Sequence, residues 1–79
     1  MTRDELVAFI CEDAGLDASE IDDETLLFTD GYIDSFTMTS LIAFLEEELG
    51  IEIEQSTVTL ENFDTISRIM KTIGRLNAA

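Results

Sequence analysis

From Thr2 the chain reads TRDELVAFICEDAG, with Leu6, Phe9 and Ile10 recurring at helical spacing as far as Asp13–Ala14. Thr2 and Glu5 stand at capping-box spacing, and Gly15 is placed to close the turn, so a first helix is predicted between Thr2 and Gly15. The period then fades. Leu16 to Asp34 mixes acids and hydroxyls with Ile21, Leu26, Leu27 and Phe28, which predicts a long loop pinned by its apolar residues, with a helical turn around Ser19–Ile21. A second helix is predicted from Ser35 to Leu49. Leu41, Ile42, Leu45 and Leu49 form its apolar stripe, Phe44 widens it, and Gly50 follows where a helix ends. Asp34 or Ser35 can cap its first turn. Ile51 and Ile53 alternate with acids, but no second alternating segment exists to pair with them, so this stretch reads as an extended connection with both isoleucines inward. TLENF suggests a short helical turn. DTISRIMKTIGRL gives a last helix with Ile66, Ile69, Met70 and Ile73 on one face, a cap at Asp64 or Thr65, and an end weakened by Gly74. The pattern predicts an all-α fold: a small three- to four-helix bundle with a long loop between helices one and two, one domain over residues 1–79.

At 79 residues with 46% hydrophobic content, the chain can build a single core near the lower size limit for unaided folding. No apolar run approaches a membrane span, and MTRDELV lacks the features of a secretion signal, so a cytoplasmic monomer is expected. The absence of histidine removes imidazole acid–base catalysis and histidine metal ligation. The single cysteine, Cys11, excludes an internal disulfide and a thiolate zinc site, and its apolar setting marks it as core filler. Net charge is −14; all 18 acids lie between Asp4 and Asp64, while Arg3, Arg68, Lys71 and Arg75 lie outside that stretch. Such a surface repels nucleic acid and attracts basic protein surfaces. A calcium loop starting at Asp17 fails, because Ile21 and Asp22 occupy the positions that need an oxygen ligand and a glycine. No metal site and no catalytic residue is assigned.

One small group remains to be explained. Ser35 sits where helix two begins, after Gly31-x-x-Asp34 and before Phe36. It could be a cap and nothing more. With no histidine or neighbouring lysine it has no base of its own, so it cannot be a self-sufficient nucleophile, but it could be the substrate of another enzyme. A phosphate attached there would meet the positive end of a helix.

GYIDSFTMTSLIAFLEEELGIEI resembles the phosphopantetheine attachment region of acyl carrier proteins and peptidyl carrier domains. The flanking AGLDASEIDDETLLF and FDTISRIMKTI are similar to the family's first loop and closing helix, so the resemblance covers nearly the whole chain. It implies that a phosphopantetheinyl transferase, using coenzyme A and a divalent metal ion, attaches 4'-phosphopantetheine to Ser35 through a phosphodiester. Asp34 would help the transferase dock. Acyl or aminoacyl groups would then travel as thioesters to loading and processing enzymes with basic docking surfaces, which would read Phe36, Thr39, Ala43, Glu46 and Glu47 on helix two. Small carriers of the family shelter acyl chains between their helices, and the lining here would be Leu41, Ile42, Leu45, Ile66 and Ile69; a closed core is the alternative. No charge follows Ser35 until Glu46. The IDSF stretch is nearest to D-alanyl carriers and free-standing carriers of specialised metabolism, implying an aminoacyl or specialised acyl cargo in preference to housekeeping fatty-acid synthesis. The competing reading is a non-enzymatic acidic module that occupies a basic surface of a partner.

Overall fold

The computed structural model describes residues 1–78. Helix α1 (Arg3–Ala14) starts on the predicted capping box: Glu5 N–H donates to Thr2 Oγ1 at 3.2 Å, and Thr2 N–H donates to Glu5 Oε1 at 2.9 Å. Gly15 closes it at φ 71°, a left-handed conformation that suits glycine, and Leu16 N–H returns to Cys11 O at 2.8 Å. Helix α2 runs from Ser35 to Leu49, α3 is the short Leu60–Phe63 turn, and α4 runs from Ile66 to Ala78. There is no strand among the described residues.

α1 packs against α2 and α4, and α3 against α4. Leu6 and Ile10 of α1, Leu41 and Leu45 of α2, Phe63, Ile66 and Ile69 meet with Leu27 from the loop in a fully buried core. Each such side chain contributes roughly 1.5–3 kcal/mol by leaving water. Phe9 stacks on Phe44 with ring centroids 4.2 Å apart and extends the α1–α2 seam towards the surface. Cys11 is buried beside this core. Burial pushes its thiol up, and the charges of Asp17 and Glu20 add to that, so it stays protonated and inert at neutral pH.

The long first loop is ordered by three apolar anchors, Ile21, Leu27 and Ile33, all buried. Its helical turn spans Ala18–Glu20, one residue earlier than the pattern suggests, because Asp17 and Glu20 form their own capping box. The loop is then tied to the start of α4. Ser67 N–H donates to Asp23 O at 3.1 Å, and Ser67 Oγ donates to Glu24 Oε1 at 2.6 Å. Asp64, only 2% exposed, accepts hydrogen bonds from Phe28 N–H (2.8 Å), Thr29 N–H (3.1 Å) and the Thr29 hydroxyl (2.5 Å), while its carbonyl takes Leu27 N–H at 2.7 Å. Asp64 therefore clasps the loop and does not cap α4. Thr65 does that, its Oγ1 accepting from Arg68 N–H at 3.0 Å.

After α2 the chain is extended through Glu54, with Ile53 buried and Ile51 half-buried, and then makes a 3-10 turn at Gln55–Thr57 that the alternating pattern does not foretell. Gly74 lies inside α4, which continues past it to Ala78.

Among the described residues the salt bridges belong to Arg3, which reaches Asp4 and Asp23, so most acids are unpaired. Their mutual repulsion opposes the compact state. Raising ionic strength from ~0.01 to ~0.15 M shortens the screening length from ~30 to ~8 Å. The melting temperature is expected to rise by several degrees across that range, and millimolar magnesium should act in the same direction. A melting curve indifferent to both would show that the charges are already screened by their spacing.

Candidate functional site

The loop delivers Gly31 (φ 79°), Tyr32, the buried Ile33 and Asp34 to the start of α2. Gly31 is the turn that allows this approach: its positive φ is disfavoured for a residue with a Cβ. Of the two candidates for the α2 cap, Asp34 takes the role. Its Oδ1 accepts from Thr37 N–H at 3.0 Å, and its carbonyl accepts from Met38 N–H at 3.0 Å. Ser35 is thereby the first helical residue, exposed, and its hydroxyl makes no hydrogen bond among the described residues. The backbone amides of Ser35 and Phe36 are likewise unpartnered, as first-turn amides are. An exposed hydroxyl beside free N–H groups at the positive end of a 15-residue helix is a suitable place to hold a phosphate ester.

Two surface hollows flank it. One, about 310 Å³, is bordered by Asp13, Gly31, Tyr32, Asp34 and Phe36. The other, about 460 Å³, starts at Ser35 and follows α2, lined by Met38, Ile42, Ala43, Ile53 and Val58 with Thr39, Glu46 and Gln55. For the expected cargo lining, the structure has the closed core that was its alternative. Leu41, Leu45, Ile66 and Ile69 are packed into the core at 1% exposure or less, and only Ile42 of that set borders the groove. The apolar surface within reach of Ser35 is instead made by Met38, Ile53 and Val58. Met38 and Ile42 stand three and seven residues after Ser35, so their sharing its face was readable from helical spacing; the approach of Ile53 and Val58 was not.

The five residues expected on a partner face divide. Phe36 (79% exposed), Thr39, Ala43 and Glu47 are open to solvent, with Phe36 and Glu47 on the outward side. The Thr39 hydroxyl donates to Ser35 O at 3.0 Å. Glu46 is half-buried, and its Oε2 accepts from Ile53 N–H at 2.9 Å, fastening the extended segment to α2. It is a brace for the groove wall more than a free rim charge.

Among the described residues no cluster of candidate metal ligands is present, and no helix is long and apolar enough to cross a membrane. A family model described as "Phosphopantetheine attachment site" matches residues 4–73. The chain is 34% identical over 62 residues to an acyl carrier protein of Saccharopolyspora erythraea, covering 78% of this chain and 63% of that protein. It is 34% identical over 71 residues to an acyl carrier protein of Chlamydia caviae, covering 89% of this chain and 92% of that one. With the matched family spanning α1 through most of α4 around an exposed serine, this chain belongs to the acyl carrier proteins, the carriers of covalently attached 4'-phosphopantetheine.

Proposed function

We propose that Ser35 Oγ is the attachment point of the arm, and that the protein presents aminoacyl or specialised acyl groups to partner enzymes in the cytoplasm as a monomer. The observation that carries this reading is the division of labour at the start of α2. Asp34 satisfies the helix amide of Thr37, which leaves the Ser35 hydroxyl exposed and uncommitted. Asp34 is exposed too, so the same carboxylate that fixes the turn is available to a transferase reading Gly31–Phe36. The unpartnered amides of Ser35 and Phe36 would hold the ester phosphate after transfer. When bound, phosphopantetheine supplies a thiol that carries the cargo as a thioester; the chain's own residues position it and shelter what it carries. Met38, Ile42, Ile53 and Val58 offer apolar surface to cargo beginning next to Ser35, with Thr39 and Glu46 at its margin. The uncharged stretch from Phe36 to Leu45 supports a cargo or partner set other than that of housekeeping fatty-acid synthesis. Incubation with a phosphopantetheinyl transferase and coenzyme A should add the mass of one arm. A chain that gains none would instead be an acidic module that occupies a basic surface.

The split of the partner face gives two separable substitutions. Glu47→Lys should slow loading of the pantetheinylated protein by a basic-surfaced enzyme several-fold at low salt, with the difference shrinking as salt is added, since exposed rim charges act mainly on association rate. Glu46→Ala should instead lower stability by about 1 kcal/mol, through loss of its bond to Ile53 N–H. Melting curves beside loading rates across ionic strength separate the two; equal loading of Glu47→Lys and parent at low salt would remove Glu47 from the face.

A further inference from the structure

The cations of this acidic chain are gathered. Three of its four, Arg68, Lys71 and Arg75, stand on α4 at spacings of three and four residues, hence on one face of the helix. All three are exposed, and they border one hollow of about 290 Å³ with Glu61, Asn62 and Thr72. Although 18 acids are present in the chain, none lies within ion-pair distance of these cations among the described residues. Even Glu61, on the same hollow, pairs with none of them.

Neutral oxygens hold the two guanidinium groups instead. Arg68 Nη1 donates to Leu60 O at 3.2 Å. Arg75 Nη2 donates to Asn62 Oδ1 at 3.1 Å and Thr72 Oγ1 at 3.4 Å, and the Thr72 hydroxyl in turn donates to Asn62 O at 3.0 Å. These contacts place both guanidinium groups without neutralising them, and each keeps further N–H donors free. The Lys71 ammonium has no hydrogen-bond partner among the described residues, although it sits between the two arginines.

We propose that the α3–α4 face docks an acidic helical segment of a partner protein. The row covers two helical turns, about 10 Å along the axis, a span that suits acids repeated at the same spacing on a second helix better than one small anion. Charge restricts the partner further. A nucleic-acid backbone or an anionic bilayer is larger than the row and would also meet the rest of a chain whose net charge is −14. A second copy of this chain, also at −14, meets the same repulsion. A short acidic segment on an otherwise neutral or basic protein can follow the row and meet one acid of the hollow, Glu61, against three cations. Leu60, 55% exposed on the neighbouring α3, offers it an apolar contact. This hollow shares no lining residue with the two that flank Ser35, so the site is independent of the arm.

The test titrates an alanine-based helical peptide bearing glutamates at i, i+3 and i+7 into the isotopically labelled full chain at low salt, beside the same peptide with glutamines. Saturable amide shifts centred on Leu60 to Arg75 are expected with the glutamate peptide and not with the glutamine one. Lys71→Gln, which breaks no internal hydrogen bond, should weaken binding about two- to five-fold, the range of one exposed ion pair. Reversing Arg68, Lys71 and Arg75 together to glutamate should abolish it, with a melting curve to show that the variant is folded. Ser35→Ala should bind as the parent does. Absence of saturable shifts, equal binding of the glutamine peptide, or indifference to Lys71→Gln overturns the proposal. So does row-dependent binding to phosphatidylserine vesicles or duplex DNA in place of the peptide, or row-dependent self-association in sedimentation equilibrium.

Discussion

Asp64→Ala is expected to destabilise the fold by about 3 kcal/mol, the loss of several hydrogen bonds to a buried charged acceptor after allowance for rehydration of the exposed Thr29. In a domain whose total stability stands near the lower end of roughly 5–15 kcal/mol, that is a large fraction. At about 4–8 °C per kcal/mol for a chain of this size, the melting temperature should fall by more than ten degrees. The damage should be local first. Amide exchange at Phe28 and Thr29 should accelerate beyond the change in global stability, because their acceptor is gone while the anchors Ile21 and Ile33 stay buried. A loss under about 1 kcal/mol would mean that the clasp is incidental to the loop's order.

The same carboxyl sets an acid dependence. Burial alone would raise its pKa, but the Thr29 hydroxyl, the amides of Phe28 and Thr29 and the charge of Arg68 more than offset that and hold it below the ordinary aspartate value. A folded-state pKa below the unfolded one contributes stability that is present above the unfolded value, about 3.9, and is lost as pH falls through the folded value. Asp64→Asn should therefore be less stable than the parent at neutral pH, and the gap should close as pH falls below about 4. The difference between the two proteins is the quantity to read, since protonating the unpaired surface acids relieves repulsion in both.

Much of this fold was legible because its signals are local. Thr2 with Glu5, Gly15 and Gly50 act within one helical turn, so spacing alone located the ends of α1 and the close of α2. Ser35 stood out through its neighbours and a family resemblance. The choice between Asp34 and Ser35 as cap was not legible, because adjacent polar residues differ there only in backbone angles; Asp34 has the extended backbone of a cap, at φ −119°. Asp64 was hidden for another reason. Its partners lie 35 and 36 residues away, and an aspartate just before a helix looks the same whether it caps that helix or grips a distant loop. Glu46 was read as a surface charge because its acceptor role depends on where the extended segment folds back. The groove followed the same rule: its α2 wall was written in helical spacing, and its opposite wall was set by tertiary packing. For the cation row, the spacing of Arg68, Lys71 and Arg75 was visible in the sequence, but that none of them forms a salt bridge, with Arg68 acting on the buried Asp64 only at longer range, was a property of the folded surface.

Ser35→Ala should abolish arm attachment while leaving the fold nearly untouched. The residue is exposed, its hydroxyl makes no internal hydrogen bond among the described residues, and Asp34 carries the cap, so the stability change should stay within about 0.5 kcal/mol. Alanine at the first helical position is, if anything, a better helix former than serine. Failure to be modified could then be attributed to the missing nucleophile, and a melting curve matching the parent would verify it. The decisive measurement is the intact mass of parent, Ser35→Ala and Ser40→Ala, each coexpressed with a phosphopantetheinyl transferase. The parent and Ser40→Ala should each gain one phosphopantetheine and Ser35→Ala none; an arm on folded Ser35→Ala would contradict the assignment of Ser35.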